Sequence, residues 1–307
     1  MFFLKGTQPN DFGLEQYFSK MLSGSKLLAY VELVRPWNGV VTGFIAVLGA
    51  LFALHTYSDL LKLVVLFCSF TLAYNAGTIL NDIFDQKIDQ INMPYRPIQA
   101  KKVSEKNAII LSAFLHVFTF ALALWLSWQV ALIMLTFFIF SAFYSVPPVR
   151  FVARGFLSQL DLAFTVAFIP LYAGTSLVTG KLSLSNHYIL TYLVFSILFS
   201  FLFLVKDYKD VEGDQVGGKH TVVLSLGKER TKMLMIVGTT VFYLASIFFF
   251  YQLTQDSILA IIGVGVLLIT LYFQRYTIQT PGKTFAANRL LLAVFLVATV
   301  LALKSVF

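Results

Sequence analysis

Nine long apolar stretches restrict what this sequence can fold into. They run approximately over residues 37–56, 63–80, 107–126, 128–146, 157–179, 187–205, 233–252, 257–274 and 290–306. Each is close to the roughly 20 apolar residues that a membrane-spanning helix needs. Ser127 and its neighbours alone separate the third stretch from the fourth. The pattern predicts an all-α, polytopic membrane protein with nine transmembrane helices, in which residues 1–307 form a single integral-membrane domain.

The composition supports this class and excludes several others. Hydrophobic residues make up 58% of the chain and charged residues only 12%, whereas soluble domains carry about 25% charged residues. A secreted enzyme, a disordered chain and a soluble nucleic-acid binder are therefore excluded. The net charge of +8 comes from basic residues in the short gaps between apolar stretches, so nucleic acid is not an expected partner. The single cysteine, Cys68, excludes an internal disulfide and a cysteine metal site.

The basic residues also predict the orientation. Twenty Lys and Arg residues fall on one side of the nine stretches, and three fall on the other, namely Lys62, Lys181 and Lys304. The positive-inside rule places the N-terminus and the richer connections in the cytoplasm, and the C-terminus on the opposite side. Residues 1–36 are then a cytoplasmic segment, in which Phe12–Val34 is predicted to form an amphipathic helix on the membrane interface.

Acidic residues are concentrated in two short windows. Asn81–Asp89 follows the second apolar stretch and Asp207–Asp214 follows the sixth, and together they hold seven of the 15 Asp and Glu residues. In both windows the aspartates recur at i, i+3 and i+7, which predicts three carboxylates on one helix face. Carboxylates without histidine or cysteine favour a hard ion, and Mg²⁺ characteristically joins carboxylates to substrate phosphates. The alternative is a set of solvated acids at helix ends, which the negative helix C-terminus disfavours.

Several basic residues are candidates for phosphate contacts. Arg96 lies in the rigid stretch Pro94–Pro97, close in sequence to the first acidic window. Arg150 and Arg154 follow the fourth apolar stretch, where they either anchor the connection at the membrane surface or bind diphosphate. Lys206 precedes the second window and has the same two interpretations.

At these residues the chain resembles the UbiA superfamily of intramembrane prenyltransferases. The family carries Asn-Asp-x-x-Asp-x-x-x-Asp after the second span and Asp-x-x-Asp-x-x-x-Asp after the sixth. The resemblance implies a ring of helices around a central cavity, two Mg²⁺ ions, and a polyprenyl diphosphate donor that reacts through an allylic carbocation with a lipophilic acceptor. Membrane lipid surrounds such a protein. The implied catalytic and metal-binding residues are Asp82, Asp85, Asp89, Asp207, Asp210 and Asp214, with Asn81 assisting.

Other positions match the family singly. Asn38 resembles a polar residue that family members direct into the active site, and Tyr144 belongs to a Tyr-Ser-x-Pro-Pro pattern after the fourth span. A tyrosine ring there is suited to stabilise a cation, although an interfacial aromatic belt explains it too. Val152 stands where the family often has a lysine. The first motif region resembles the branch that includes enzymes using prenylglycerol phosphate or chlorophyllide, and the second motif resembles ring-prenylating members, so the acceptor stays open.

Three functions are compatible with these features. The first is a Mg²⁺-dependent prenyltransferase that transfers a polyprenyl group to an aromatic ring compound or to a prenylglycerol phosphate. The second is a terpene cyclase on the same scaffold. The third is a cation-coupled transporter, which the one-sided placement of the acids disfavours. Asp161 adds an acid within the fifth stretch that either pairs with Arg154 or has a function of its own.

Overall fold

The computed structural model describes residues 26–53 and 59–304, and all regular structure within these two ranges is helical. Eight helices are long and apolar enough to cross a membrane, and a ninth apolar helix, α2, has 13 residues. The predicted nine apolar helices are thus confirmed. The helices are α1 (Lys26–Val34), α2 (Val40–Phe52), α3 (Leu60–Phe84), α4 (Gln86–Asn92), α5 (Glu105–Leu126), α6 (Trp128–Ser145), α7 (Phe156–Thr179), α8 (Asn186–Phe203), α9 (Val211–Val216), α10 (Val222–Leu226), α11 (Lys228–Thr254), α12 (Ser257–Gln274) and α13 (Pro281–Lys304).

Polar side chains set several of the helix ends. Ser127 has an extended backbone between α5 and α6, and its hydroxyl accepts a hydrogen bond from the Val130 amide at 3.2 Å. One serine therefore ends one membrane helix and caps the next. Asp256 caps α12 in the same way, since its carboxylate accepts from the Ile258 and Leu259 amides.

Three helices extend beyond their apolar stretches. Helix α3 continues to Phe84, which places Asn81 and Asp82 on a helix, and α13 begins at Pro281 rather than at 290. Helix α11 begins at Lys228, five residues before its apolar stretch. Hydropathy detects only the apolar part of a helix, whereas backbone hydrogen bonding continues through the polar residues at its ends. Of the predicted N-terminal helix, Lys26–Val34 is observed and the remainder lies outside the described residues.

Each acidic motif is divided by a break at its middle aspartate. Asp85 (φ −98°, ψ 14°) separates α3 from α4, and Asp210 (φ −104°, ψ 7°) separates the 3₁₀ segment Leu204–Tyr208 from α9. The prediction of three carboxylates on one continuous helix face is therefore wrong for both motifs. Three like charges on one face repel one another, and the break distributes them over two elements.

Helices α2 and α7 cross at unusually close range. A Cβ atom added at Gly49 would overlap the backbone carbonyl of Leu171, and one added at Gly174 would overlap that of Ala46. The Thr175 hydroxyl donates to the Gly49 carbonyl at 2.8 Å across the same crossing. Because lipid is as apolar as a leucine side chain, membrane helices associate through such close packing and interhelical hydrogen bonds.

This crossing yields a stability prediction. Gly174→Ala is expected to lower the free energy of unfolding by about 1–3 kcal/mol, because the new methyl group must displace a backbone carbonyl. The measurement is thermal unfolding of the purified protein in detergent. Gly265→Ala is the matched control, since nothing lies within 4 Å of a Cβ at that position. Equal melting temperatures for the two variants would contradict the prediction.

Aromatic residues fill the bundle away from the acidic motifs. The fully buried rings of Phe199, Phe242 and Phe250 belong to the largest apolar cluster, which α2, α7, α8, α11, α12 and α13 form together. The Phe195 and Phe242 ring centroids lie 5.1 Å apart. Val41, Leu162 and Val166 of the same cluster also line the cavity at the end of the bundle that carries the motifs.

Candidate active site

A single cavity brings the two acidic motifs together. Helices α2, α3, α6, α7, α8 and α13 supply its walls. The motif residues come from the end of α3, from α4 and α9, and from the two connections that precede α4 and α9. Seven carboxylates line it, namely Asp82, Asp85, Asp89, Asp161, Asp207, Asp210 and Asp214. Six cationic side chains line it as well, namely Arg35, Arg96, Lys206, Lys209, Lys219 and Arg289. The cavity is therefore a densely charged chamber at one end of an apolar bundle.

Two arginines compensate the charge of the first motif. The Asp82 carboxylate is 1% exposed and accepts hydrogen bonds from Arg35 and, at 2.9 Å, from Arg96. Arg96 also donates to Asp89 at 2.5 Å and so joins the two outer aspartates of the motif. Burial raises the pKa of Asp89 to about 6, although Arg96 opposes this shift. The predicted location of Arg96 beside the first motif is confirmed.

Lys219 connects the two motifs. Its ammonium donates to Asp85 at 2.8 Å and lies 3.2 Å from an Asp214 carboxylate oxygen. Arg150 adds a 2.5 Å ion pair to Asp85, and the Asn81 amide donates to the same carboxylate at 3.3 Å. Although burial alone raises the pKa of Asp85, Lys219 and Arg150 hold it below its usual value. Asp85 is therefore ionised at neutral pH.

A second connection joins the short helices that follow the breaks. The Asn92 amide at the end of α4 donates to the Asp210 carbonyl at 3.0 Å and accepts from the Gly213 amide at 2.8 Å. A Cβ at Gly213 would overlap the Asn92 side chain, so this contact requires glycine there. The third aspartates of both motifs, Asp89 and Asp214, lie on the two helices that Asn92 joins.

The second motif lies against α6 and α7. The Gln159 amide lies 3.4 Å from the buried Asp207 carboxylate. Lys206 donates to the Tyr144 hydroxyl, and its ammonium lies 5.0 Å from the centre of the Tyr144 ring. The ring that the sequence suggests as a cation stabiliser thus contacts a lysine of the protein.

Most of the predicted site residues converge on this cavity. All six motif aspartates line it, and so do Asn38, Asn81, Arg96, Tyr144 and Lys206. Arg150 acts on the site through Asp85. Arg154 is not among the lining residues, because its guanidinium donates to the Pro148 carbonyl at 2.8 Å. Of the two alternatives for Asp161, the pair with Arg154 does not form, since neither Asp161 carboxyl oxygen accepts a hydrogen bond from a described residue.

Three residues at the site, Arg35, Asn92 and Arg289, carry no recognisable signal in the sequence. Arg35 pairs with Asp82 although 47 residues separate them, and Arg289 donates to the Trp37 carbonyl at 2.9 Å. Both arginines lie in connections where the positive-inside rule already accounts for a basic residue. Asn92 contacts a segment more than 100 residues away in the sequence. Only the three-dimensional arrangement distinguishes these residues.

The acidic residues suit Mg²⁺ in their chemistry. They offer only carboxylate oxygens, which a hard divalent ion prefers, and one buried Asp210 carboxylate oxygen has no hydrogen bond within the described part of the chain. Among residues 26–53 and 59–304, no three acidic, histidine or cysteine side chains are close enough together to hold a metal ion. Arginine and lysine side chains instead occupy positions between the carboxylates, so metal binding would replace some of these ion pairs.

Comparison with known families identifies the fold. The UbiA prenyltransferase family matches residues 42–302. The chain belongs to this family. Its membership confirms the prenyltransferase prediction and the integral-membrane class, and it favours the enzyme over the transporter hypothesis. The residue roles and the sidedness of the termini stay predictions.

Individual relatives of this UbiA-family chain agree with the assignment. A digeranylgeranylglyceryl phosphate synthase of Pyrococcus horikoshii is 26% identical over 238 residues, which cover 78% of this chain and 79% of the relative. One from Korarchaeum cryptofilum is 30% identical over 217 residues, which cover 69% of this chain and 72% of the relative. A UbiA homologue of Archaeoglobus fulgidus, solved with DMAPP and Mg²⁺, has the same fold with a TM-score of 0.67 at 17% identity, over 90% of this chain and 99% of that one.

Proposed function

We propose that this protein is a Mg²⁺-dependent prenyltransferase that moves a polyprenyl group from its diphosphate to the hydroxyl of a prenylglycerol phosphate. The observation that carries the proposal is the joint presence of both aspartate motifs and six cationic side chains around one cavity of an apolar bundle. Such a chamber suits a substrate with a multiply charged head and a long apolar tail. The names of its relatives favour the prenylglycerol phosphate acceptor over an aromatic one.

The donor diphosphate is assigned to the motif end of the cavity. Asp82, Asp85 and Asp89 would hold one Mg²⁺, and Asp207, Asp210 and Asp214 a second. When bound, the metal neutralises the diphosphate as the allylic C–O bond breaks. Arg96 then becomes available to the phosphate oxygens, since its present carboxylate partners are metal ligands in this proposal.

Apolar side chains between the charged groups provide a place for the prenyl chain. Val41 of α2, Leu162 and Val166 of α7, and Phe203 of α8 line the same cavity as the aspartates. These side chains exclude water, which would otherwise react with an allylic carbocation. In this proposal the reactive carbon would lie between the diphosphate site and the apolar walls.

Two further cations support an acceptor that carries phosphate. The Lys209 ammonium lies 5.2 Å and the Arg289 guanidinium 5.5 Å from the centre of the Phe285 ring. All three side chains line the cavity that holds the six motif aspartates. A phosphate dianion gains from two nearby cations in a partly dry site. We assign the acceptor phosphate to this pair.

The orientation follows from the distribution of positive charge. The site and the connections rich in Lys and Arg lie at the same ends of the helices, which the positive-inside rule assigns to the cytoplasm. A diphosphate donor made in the cytoplasm would then reach the motifs without its charge crossing the bilayer.

The test is a transfer assay with the full-length protein in nanodiscs. Geranylgeranyl diphosphate is supplied with geranylgeranylglyceryl phosphate, with a hydroxybenzoate or without acceptor, each with Mg²⁺ or with EDTA. We expect diphosphate release and an ether product, seen by mass spectrometry, only when Mg²⁺ and the glyceryl phosphate are both present. Transfer only to the aromatic compound would reject the proposed acceptor. A cyclised hydrocarbon without acceptor would indicate the cyclase, and no release with donors of any length would reject the enzyme.

A further inference from the structure

Asp161 is a buried carboxylate that belongs to neither motif. It lies on α7 within a membrane-spanning segment, is 4% exposed and lines the cavity. Neither of its carboxyl oxygens accepts a hydrogen bond from any described residue. The other six lining carboxylates all belong to the proposed metal site.

A buried carboxylate without a hydrogen-bond partner on a membrane-spanning helix costs free energy. Charged groups within membrane segments are rare, and those that occur face cavities and mark functional sites. Burial of a polar group without a hydrogen bond costs free energy that a ligand can recover. Lys206 is close enough to interact electrostatically with Asp161, but its ammonium donates to Tyr144 and Ser158 instead. The two Asp161 carboxyl oxygens are therefore available to accept a hydrogen bond from a bound ligand.

The helix is irregular immediately beyond this residue. Phe164–Phe168 forms a π-helical segment, and Thr165, one of its residues, donates to the Asp161 carbonyl at 2.9 Å and lines the cavity as well. Such segments are rare and frequently occur at functional sites. Asp161 and Thr165 thus present one polar patch on a wall that is otherwise formed by Leu162 and Val166.

The proposed reaction releases a proton that needs an acceptor. An alcohol attacks the allylic carbon, a new ether C–O bond forms, the C–O bond to the diphosphate breaks with its electron pair leaving on the diphosphate, and the hydroxyl proton must be removed. The motif aspartates would be ligands of Mg²⁺ in the proposed site, and Asp82, Asp85, Asp89 and Asp214 already pair with arginine or lysine, which makes them poor bases. Asn38 and Thr42 also face the cavity with oxygens that make no hydrogen bond, but neither an amide nor a hydroxyl takes up a proton near neutral pH.

We propose that Asp161 is the catalytic base of this protein: its carboxylate accepts a hydrogen bond from the attacking hydroxyl of the acceptor and takes the proton as the ether bond forms. This inference rests on the proposed transfer to a hydroxyl. The positive charge of Lys206 opposes the cost of burying the ionised carboxylate.

The test compares two acceptors in one variant. Asp161→Asn keeps the size of the side chain and an oxygen acceptor but cannot take a proton. With geranylgeranylglyceryl phosphate we expect kcat to fall by about 10²-fold or more, which is typical for loss of a general base. With the analogue that carries a thiol in place of the hydroxyl, the loss should be less than about tenfold, because a thiol gives up its proton near pH 8.5. Binding of unreactive geranylgeranyl thiolodiphosphate should be unchanged.

Controls separate catalysis from folding. Asp161→Leu removes the buried charge altogether and should show the same difference between acceptors without a lower melting temperature. Asp256→Asn, at the start of α12 and away from the cavity, should transfer to both acceptors at the wild-type rate. Equal losses with the hydroxyl and the thiol, or a hydroxyl kcat within threefold of wild type, would overturn the inference alone. Absence of transfer to any hydroxyl by the wild-type protein would overturn the proposed function together with it.

Discussion

Asp82→Asn and Asp210→Asn are each expected to reduce Mg²⁺-dependent prenyl transfer by at least about 10³-fold. A divalent ion that neutralises a leaving diphosphate lowers the activation barrier by several kcal/mol, and each 1.36 kcal/mol is a factor of ten in rate. Asp82 is buried between Arg35 and Arg96, so an amide there also removes an anionic partner from both guanidinium groups, although Arg96 keeps its pair with Asp89. Asp210 is the second-motif aspartate at the helix break, with one carboxylate oxygen that makes no hydrogen bond.

The measurement is the initial rate of ether formation as a function of Mg²⁺ concentration. Both variants should need more Mg²⁺ for half-maximal rate, which a general loss of stability would not produce. Glu229→Gln is the control, because its side chain is 75% exposed and pairs with Lys232 on α11. If either aspartate variant keeps the wild-type rate and Mg²⁺ response, the assignment of that motif to the metal site is wrong.

Lys219→Met is expected to destabilise the metal-free protein by about 3–5 kcal/mol and to make its stability depend on Mg²⁺. The ammonium is 6% exposed and compensates Asp85 and Asp214, one from each motif. Removal of one partner from a buried ion pair leaves an uncompensated charge, which costs this amount. A divalent cation between the same carboxylates supplies the missing charge, so millimolar Mg²⁺ should restore most of the lost stability.

Thermal unfolding in detergent, with EDTA and with Mg²⁺, measures this effect. Lys232→Met is the matched control, since Lys232 forms a pair with the exposed Glu229; such surface pairs contribute at most about 1 kcal/mol, and no response to Mg²⁺ is expected. A Lys219→Met protein that melts at the wild-type temperature in EDTA would refute the bridging role. A Lys219→Met protein that melts below the wild-type temperature but is not stabilised by Mg²⁺ would show that the metal does not bind between Asp85 and Asp214.

Local sequence patterns predict the helices of this fold well. The apolar stretches and the cap at Ser127 depend on neighbouring residues, so α5, α6 and α12 begin and end within about two residues of their predicted limits. The starts of α11 and α13 were missed because Lys228 and Pro281 begin helices in polar sequence. Hydropathy detects the apolar, membrane-embedded part of a helix rather than its full length. The apolar part and the full helix differ most at helix ends that carry charged residues.

The acidic motifs were found from spacing, but their charge compensation was not. The spacing i, i+3 and i+7 fits one helix face, and nothing in it reveals that Asp85 and Asp210 interrupt the helix. The ion pair of Lys219 with Asp85 joins residues 134 positions apart. A single sequence contains no information about which of its many basic residues will lie beside which acid, because that depends on how the helices pack.

The contacts of Asn92 bear on how this enzyme can be re-engineered. One amide holds both acidic connections, through the Asp210 carbonyl and the Gly213 amide, so residues 86–92 and 210–216 behave as a matched set. A chimera that imports only one of them from a relative would combine surfaces that were never selected together. Loop grafting intended to change acceptor choice should therefore transplant both segments, and random libraries should vary them jointly.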